Sequence, residues 1–429
     1  MKMVLSLLHY YANTVYWRRA DVLAIEAMQL RSFQKLYAWA AKQSKFYREY
    51  YGDHGALGLS LRSLEEIRRI PPVSKAILRA VPLADIVTRN NLSGLNIHST
   101  SGSTGEPLRV AYSRFEDYTA HVRVFWALRR AGYSPSQPIV MITRYNPGES
   151  FQIEKDIAAI KLVQKILRSF RSEIISIYDP VDTIIDKLQI TKARLLWSTP
   201  SILQIIAQRL KERGIALRFP CVFLTSEMVS EVQKQLFLSW VGKEIVGLYG
   251  AIESPSLGFD FGLQGRFEVF PNSNLFEFAP QVAREVEEKV GRVIITNLIN
   301  RTTPIIRYEL NDLAELGDDP GFGRKHIGRI IGRQDDILEL GQGRFLAHHH
   351  AHEMFMDFHE CDMFRFVQTK DQAIRLKLKI PKGSDPAQVE KLARCRWEKR
   401  FAGVPLAVEF VEYFEVDPCT GKFKNMEIE

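Results

Sequence analysis

The chain has 429 residues, 46% hydrophobic and 25% charged, which is ordinary for a soluble globular protein and excludes disordered, collagenous and repeat classes. This length predicts two or three packed units rather than one core. The formal net charge of +8 suits an anionic partner, but nucleotides, coenzyme A, nucleic acid and acidic membranes all qualify.

The N-terminal segment MKMVLSLLHYY lacks a small-residue cleavage site. It is also shorter than the roughly 20 apolar residues that span a bilayer, so we expect neither a signal peptide nor a membrane span. The four cysteines are scattered and form no CxxC pair: Cys221, Cys361, Cys395 and Cys419. This spacing argues against structural disulfides and a thiolate zinc site, and it predicts a reducing, cytoplasmic location.

Apolar residues at helical spacing predict a helical region over residues 15–50. Ser74 is predicted to cap a helix that begins at Lys75. From Pro138 onward, predicted strands alternate with helices at 156–170 and 201–214; the strands are 138–143, 174–179, 193–198, 221–226 and 244–250. Such alternation predicts a doubly wound, parallel α/β sheet.

After about residue 260 the pattern becomes rich in strands, with runs at 292–298 and 304–310 that suit an antiparallel sheet or small barrel. Beyond Gly332 a strand pair, a helix and a further strand predict a compact α+β unit; they lie at 364–380, 387–401 and 406–414. We therefore predict a large domain over residues 1–333 and a small domain over residues 334–429.

The segment Ser101-Gly102-Ser103-Thr104-Gly105 joins small residues to hydroxyl groups. Small residues let the backbone curl around an anion, and the hydroxyls add donors for phosphate oxygens. It is not a Walker loop, because no GK[ST] follows. Taken alone, a Ser/Gly-rich surface turn explains it equally well.

Further residues suited to a nucleotide follow in order. Tyr249 ends an apolar strand, where an aromatic ring can stack on a purine, and Glu253 can hold Mg²⁺ against phosphates. A strand-terminal turn with a solvated glutamate is an equal alternative. Asp312, at a predicted strand end, can accept hydrogen bonds from ribose hydroxyls. Arg333 and the glycine-turn residue Lys422 can neutralise phosphate charge.

In their order and spacing, these segments resemble the adenylate-forming superfamily of acyl-CoA synthetases, carrier-loading adenylation domains and luciferases. The sequence is most similar to the phenylacetate–CoA ligase branch and its capsule-locus relatives. The resemblance covers nearly the whole chain and includes RSFQKLYAWAAKQSKFYREYY, IPPVSKAILR, STSGSTG, STPSIL, LTSEMVS, LYGAIE, PIIRYELND, GRQDDIL and TGKFK. It implies a large N-terminal domain of doubly wound mixed or parallel sheets with a small antiparallel β-subdomain, then a small mobile α+β domain.

The resemblance also implies a reaction. ATP and a small carboxylic acid give an acyl-adenylate and pyrophosphate. A thiol of coenzyme A or a carrier protein then takes the acyl group. Several aromatics suit an aryl acid, but aromatics are also ordinary core residues. By motif, Thr104, Glu253 and Lys422 are catalytic, Glu253 binds Mg²⁺ and Asp335 is the hinge. The implied nucleotide-binding residues are Ser101, Gly102, Ser103, Thr104, Gly105, Tyr249, Gly250, Ala251, Asp312 and Arg333.

The chain departs from the family pattern at several positions. Ile252 stands where relatives usually carry Thr or Ser, which removes a hydroxyl that would contact the α-phosphate. Asn311 replaces the usual Gly, which we expect an exposed turn to tolerate. The loop from Glu339 replaces a basic loop that helps the thiol step. Some relatives carry a Cys/His metal cluster, but Gly258–Phe270 contains neither residue type, so we expect no zinc.

Other functions stay open at this point. The adenylate can instead pass AMP to a hydroxyl or the acyl group to an amine, and Ile252 also suits a nucleotide-binding scaffold without turnover. Nucleic-acid binding is disfavoured, because the basic residues form no basic–aromatic module. His98 lines the acyl pocket or has a structural role, with equal weight. The adjacent histidines of the run His348–His352 can chelate a metal, but a fixed site needs converging ligands, so we interpret the run as a polar helix start.

The acyl pocket itself is expected near Tyr249 and along two segments, 144–151 and 224–227. Neither the acid nor the oligomeric state follows from the sequence, although dimers are common in the resembling branch.

Overall fold

The computed structural model describes residues 2–89, 91–99, 107–134, 137–143, 172–280, 290–316, 321–333, 338–341, 344–346, 351, 354–355, 358, 360–414 and 425–429. The α-helices in these ranges are α1 (Lys2–Arg19), α2 (Val22–Gln43), α3 (Lys45–Asp53), α4 (Lys75–Arg79), α5 (Leu83–Ile86), α6 (Arg114–Arg130), α7 (Val181–Ile190), α8 (Pro200–Arg213), α9 (Glu231–Trp240) and α10 (Pro386–Arg400), with a 3₁₀ helix at Glu65–Arg69.

The strands are β1 (Asn96–Ser99), β2 (Arg109–Tyr112), β3 (Ile139–Thr143), β4 (Ser172–Ser176), β5 (Leu195–Ser198), β6 (Phe219–Thr225), β7 (Gly242–Ala251), β8 (Ser254–Phe261), β9 (Phe267–Val269), β10 (Asn274–Pro280), β11 (Val290–Asn297), β12 (Tyr308–Glu315), β13 (His326–Ile327), β14 (Ile330–Arg333), β15 (Leu338–Gly341), β16 (Arg344–Leu346), β17 (Met363–Gln368), β18 (Ile374–Lys379), β19 (Leu406–Phe410) and β20 (Met426–Ile428).

Capped helices form the N-terminal region, which confirms the helical prediction and extends it back to Lys2. The Asp21 carboxylate accepts the backbone N–H of Ala24 at the start of α2, at 2.8 Å. Ser44 ends α2 and caps α3. The predicted Ser74 cap is confirmed, since its Oγ accepts the N–H of Ile77 at 3.3 Å. Within the described ranges, no helix combines the length and apolar character needed to cross a bilayer.

The largest sheet has the strand order β13-β9-β8-β7-β6-β5-β3-β4. Strands β4, β3, β5, β6 and β7 run parallel, whereas β8, β9 and β13 continue the sheet antiparallel. Alternate residues of β5 face opposite cores: Leu195 packs with Phe223, and Leu196 packs on the other side with Val222. Burial on both faces explains the continuous apolar runs. The doubly wound α/β prediction is confirmed; the helix predicted at 156–170 lies outside the described residues.

A second sheet, β10-β11-β12-β14, is antiparallel, as expected for a small β-subdomain. The strand predicted at 304–310 was placed wrongly, because β12 begins only at Tyr308 and runs to Glu315. Arg307 has a φ of +47°, a left-handed conformation that cannot continue a strand. Asp312 therefore lies inside β12, opposite Arg333 of β14, rather than at a strand end.

A buried ion pair holds the segment that leads into β12. Arg307 Nε donates to Glu277 Oε1 and Oε2 at 3.0 and 3.2 Å. The Arg307 Nη1 group also donates to the carbonyl oxygens of Arg68 and Ile70. Burial raises the pKa of Glu277, although the Arg307 charge opposes that rise. The pair thus fixes strand β10, the 3₁₀ segment and the start of β12 against one another.

The C-terminal unit has a sheet of order β19-β18-β17-β20, packed with α10 around a core that runs from Leu338 to Met426. The predicted strand pair and helix are confirmed. The last predicted strand is shorter than expected: β19 ends at Phe410, and Tyr413 beyond it is 70% exposed. The division at residue 333 stays a prediction, and the proposed hinge Asp335 lies outside the described residues.

We predict that Glu277→Leu lowers the free energy of unfolding by about 3–5 kcal/mol, because it leaves the buried Arg307 charge without its partner. Urea unfolding followed by tryptophan fluorescence measures the loss. The control is Glu309→Leu, which removes the half-buried pair with Arg292 and should change stability by about 1 kcal/mol or less. Equal losses for the two variants would contradict a special role for the buried pair.

Candidate functional site

The site begins with a hydrogen bond that joins the two sheets. Tyr249, near the end of β7, donates its hydroxyl to Asp312 Oδ2 of β12 at 2.8 Å. Burial and the adjacent Asp312 carboxylate raise the pKa of Tyr249 well above its ordinary value. The phenol therefore stays a protonated donor at neutral pH. The sequence predicted both residues, and the structure places them in contact.

A second hydrogen bond between a phenol and a carboxylate joins the same two sheets, with the donor and acceptor sides exchanged. Tyr308 of β12 donates its hydroxyl to Glu253 Oε1 at 2.5 Å, and Glu253 lies in the two-residue turn between β7 and β8. Burial and the Glu253 carboxylate raise the pKa of Tyr308, so this phenol also remains a donor. The Glu253 side chain is buried, and its carboxylate orientation is fixed.

The buried Glu253 carboxylate is a hard oxygen ligand of the kind that Mg²⁺ prefers, and Mg²⁺ is commonly held by one or two carboxylates together with phosphates. The Tyr308 hydroxyl bonds one of its oxygens, which orients the group and leaves its other oxygen as an acceptor. The residues present thus fit Mg²⁺. In the described part of the chain, no cluster of three or more His, Cys, Asp or Glu side chains is arranged to hold a metal by itself.

The turn that carries Glu253 is shaped by close backbone contacts. A Cβ on Gly250 would lie 3.1 Å from the backbone nitrogen of Ser256, which is a tight contact, so this position favours glycine. The Tyr112 hydroxyl donates to the Ile252 carbonyl at 2.5 Å. The Ile252 side chain packs against the core that contains Tyr308. Ala251 pairs with Ser254 across the turn. These contacts hold the turn that carries Glu253.

Arg333 meets the site from β14, where it is the register partner of Asp312. Its Nε lies 3.6 Å from Asp312 Oδ1, and its side chain is 49% exposed, against 16% for Asp312. An ion pair this exposed contributes little to stability. The guanidinium can therefore reorient toward an anionic ligand without a large loss.

Asn311 precedes Asp312 with a φ of +64°. The sequence placed it in an exposed turn, but it is half-buried inside β12. The register with β11 shifts between Arg292 and Ile294, so β12 bulges at this point. Asparagine tolerates the left-handed conformation better than other non-glycine residues do. This backbone requirement explains why asparagine can replace glycine here.

Three residues of the site escaped the sequence reasoning: Tyr308, Tyr112 and Arg79. Arg79 is the last residue of α4. A β-bridge between Val73, just before α4, and Tyr308 holds the start of this helix beside β12. The positive charges of Arg333 and Arg79 oppose the rise in the pKa of Tyr308 that burial and the Glu253 carboxylate cause. The Arg79 Nε is buried and has no hydrogen-bond partner among the residues that the structure describes. The only sequence signal for it was the segment IPPVSKAILR.

Several predicted residues cannot be placed. Ser101, Gly102, Ser103, Thr104 and Gly105 lie outside the described residues, and so do Lys422, Asp335, His348–His350, His352 and the pocket segment 144–151. Strands β1 and β2, which flank the predicted phosphate loop in sequence, pair antiparallel.

His98 of β1 has a clear structural partner. Its Nε2 lies 3.1 Å from Asp117 Oδ1 on α6, and Asn96 Nδ2 donates to Asp117 Oδ2 at 2.7 Å. Burial alone would raise the pKa of Asp117, but the His98 and Asn96 contacts lower it overall. These contacts favour the structural interpretation of His98 over a place in the acyl pocket.

The other pocket segment predicted by the sequence, 224–227, ends β6. Glu227 accepts the backbone N–H and the hydroxyl of Ser201 at 2.8 and 2.9 Å, at the first turn of α8. A carboxylate at the N-terminus of a helix is favourable because it compensates the exposed N–H groups. Glu227 therefore has a structural role in this structure.

Comparison with known proteins finds relatives of this chain. No family model matches the chain. It is 24% identical over 349 residues to phenylacetate-coenzyme A ligase of Thermus thermophilus, covering 73% of this chain and 71% of that protein. It is 22% identical over 411 residues to protein CapK of Staphylococcus aureus, covering 92% of this chain and 86% of that protein.

Among solved structures, the chain is similar to 2-hydroxyisobutyryl-CoA ligase. In the postadenylation state of that ligase, bound to R3-HIB-AMP, the TM-score is 0.74 at 19% identity, with 94% of this chain and 89% of the other covered. For the thioesterification state of the same ligase, bound to 2-HIB-AMP and CoA, the TM-score is 0.59 at 18% identity, with 96% of this chain and 91% of the other covered.

We predict that Asn311→Gly leaves the free energy of unfolding within about 1 kcal/mol of the wild type, because glycine accepts a positive φ. Asn311→Val should lower it by roughly 1–2 kcal/mol, because a β-branched residue is strained there. Urea unfolding of the paired variants measures the difference. Equal stabilities for the valine and glycine variants would contradict the left-handed backbone at this position.

Proposed function

We propose that this chain, which is similar to phenylacetate-coenzyme A ligase and to protein CapK, is an adenylate-forming enzyme that activates a small carboxylic acid with ATP. The products of the first step are an acyl-adenylate and pyrophosphate, and coenzyme A then accepts the acyl group as a thioester. The observation that carries this proposal is the reciprocal pair of phenol–carboxylate bonds, Tyr249 to Asp312 and Tyr308 to Glu253.

The described residues supply the nucleoside half of the site. Tyr249 fixes one oxygen of Asp312, and the remaining lone pairs of the carboxylate accept hydrogen bonds from the ribose hydroxyls. The Tyr249 ring offers its face to adenine, with Gly250 and Ala251 providing backbone beside it. The exposed Arg333 turns from Asp312 toward phosphate.

Glu253 would hold Mg²⁺, which would neutralise charge on the ATP phosphates when bound. Tyr308 keeps the Glu253 carboxylate in one orientation through its hydroxyl. Arg79 adds a positive charge that acts on that phenol and binds an anionic oxygen of the nucleotide or of pyrophosphate. Mutual repulsion between the attacking carboxylate and the triphosphate makes such cations necessary.

The family resemblance supports the remaining roles. Ser101 to Gly105 bind the β- and γ-phosphates, with Thr104 contributing a catalytic hydroxyl, and Lys422 offsets charge at the reacting α-phosphate. Residues 334–429 then rotate about Asp335 as a mobile domain. In the second step the thiol sulfur bonds to the acyl carbon and AMP leaves. We place both steps in the reducing cytoplasm predicted from the scattered spacing of the cysteines. A homodimer, as in related enzymes, is testable by light scattering.

We predict that the wild type catalyses ATP–pyrophosphate exchange with at least one acid from a panel of aryl and alkyl acids. Lys422→Ala should abolish exchange while leaving thioester formation from a preformed acyl-adenylate largely intact. Lys370→Ala, an exposed lysine on a turn of the small unit, is the matched control and should match the wild type in both assays.

Equal loss of both half-reactions in Lys422→Ala would contradict the assignment of that lysine to the adenylation step. Binding of ATP by calorimetry without exchange for any acid would favour the scaffold function. An acyl or adenylyl product detected by mass spectrometry in reactions without coenzyme A would instead identify a hydroxyl or amine acceptor. An acyl group detected on a carrier protein would identify the thiol of that protein as the acceptor.

We predict that Arg79→Met raises KM for ATP at least tenfold while changing KM for the acid little, because a lost charge-assisted hydrogen bond is worth roughly 1.5–3 kcal/mol. Arg79→Lys keeps the charge but not the planar donor set, so its effect should be intermediate. Arg69→Met, at an exposed arginine of the neighbouring 3₁₀ helix, is the control. Parallel rises in both KM values would argue against a nucleotide contact.

A further inference from the structure

Two glutamines of α8 converge on one carbonyl of the C-terminal unit. Gln204 Nε2 donates to the Asp362 carbonyl oxygen at 3.1 Å, and Gln208 Nε2 donates to the same oxygen at 3.2 Å. Residues four apart on a helix lie on the same face. A carbonyl oxygen has two lone pairs, so one acceptor satisfies both amides.

A third glutamine fixes the direction of the Gln204 donor. Gln233 Nε2 of α9 donates to Gln204 Oε1 at 2.8 Å. The Oε1 of Gln233 itself accepts the N–H of Ser230 at 2.9 Å, as part of the capping box of α9. Because the oxygen of the Gln204 amide is thus occupied, its NH₂ group points at Asp362. We call Gln204, Gln208, Gln233 and the Asp362 carbonyl the glutamine clamp.

The surfaces around the glutamine clamp lie close together. A cavity of only about 40 Å³ remains between them, lined from one side by Gln204 and Gln233 and from the other by Cys361, Phe364 and Asn425. Burial raises the pKa of the Asp362 carboxyl above its ordinary value. Hydrogen bonds in such partly dehydrated contacts are stronger than those exposed to water.

The carbonyl that the glutamines hold is rigidly joined to the C-terminal sheet. Asp362 directly precedes β17, an interior strand of that sheet. Its N–H donates to the Lys379 carbonyl at the end of β18, at 2.8 Å. Holding the Asp362 carbonyl therefore holds the orientation of the C-terminal sheet against α8.

We propose that Gln204 and Gln208 are positioning residues that select the orientation of the small domain for the adenylation half-reaction. This inference rests on the proposed function. The orientation seen here superposes better on the related ligase in its postadenylation state than in its thioesterification state, with TM-scores of 0.74 and 0.59. A rotation of the small domain breaks the glutamine clamp, so the clamp favours the first half-reaction over the second.

The test is the double variant Gln204→Glu with Gln208→Met. Glutamate keeps the shape of Gln204 and an acceptor for Gln233 but has no donor for Asp362, and methionine preserves the length of Gln208. Loss of both bonds should lower the rate of pyrophosphate exchange roughly five- to tenfold. Thioester formation from a preformed acyl-adenylate should be unchanged or faster. Gln235→Met, whose amide bonds Glu231 within α9, should leave both rates unchanged.

Small-angle X-ray scattering without ligands provides a readout that is independent of activity. The wild type should match one compact arrangement, and the double variant should show a broader distribution of interatomic distances. If the wild type lacks exchange activity, the proposed function fails while scattering still tests the clamp. Unchanged scattering overturns the proposal, and so does an equal loss of both half-reactions, which would indicate a merely structural role.

Discussion

The candidate site depends on two phenols, the half-buried Tyr249 and the buried Tyr308, each of which donates a hydrogen bond to a carboxylate across the two sheets. Tyr249 of β7 bonds Asp312 of β12, and Tyr308 of β12 bonds Glu253 beside β7. A buried carboxylate without a donor is strongly unfavourable. Burial raises the pKa of both phenols, which keeps them protonated donors. The two sheets therefore cannot shift relative to each other without breaking both phenol–carboxylate hydrogen bonds, and these bonds hold the site residues in place.

Strand β12 achieves this through unusual backbone at two positions. Arg307, at a φ of +47°, turns the chain into the strand, and Asn311, at +64°, marks the bulge before Asp312. The first conformation is held by the buried pair with Glu277 and by carbonyls of the N-terminal segment. Strained backbone persists where surrounding contacts over-determine it. The ion pair and the bulge thus set where Tyr308 and Asp312 point.

The sequence predicted the parallel strands and the helices well, because buried strands such as β6 read as apolar runs and because caps such as Ser74 mark helix starts. It misplaced β12, since a positive φ at Arg307 arises from tertiary contacts that periodicity does not contain. It also missed Tyr308, because a tyrosine in a strand ordinarily indicates core. The glutamines of α8 are typical of a solvated helix face, so only their convergence on Asp362 gives them a role.

The strength of each contact matches what the proposed reaction requires of it. The nucleoside half of the site is built from buried bonds to carboxylates, which are expensive to break. Strand β14 ends at Arg333, paired with Asp312, so it anchors the chain just before the proposed hinge.

Beyond that hinge, the contact with α8 consists of neutral amides on a carbonyl. Neutral hydrogen bonds exchange for water at a net difference of only about 0.5–1.5 kcal/mol each. A buried ion pair in the same place would leave uncompensated charges on every rotation. Glutamine is therefore suited to an interface that must form and open in each catalytic cycle, while the phenol–carboxylate bonds remain closed.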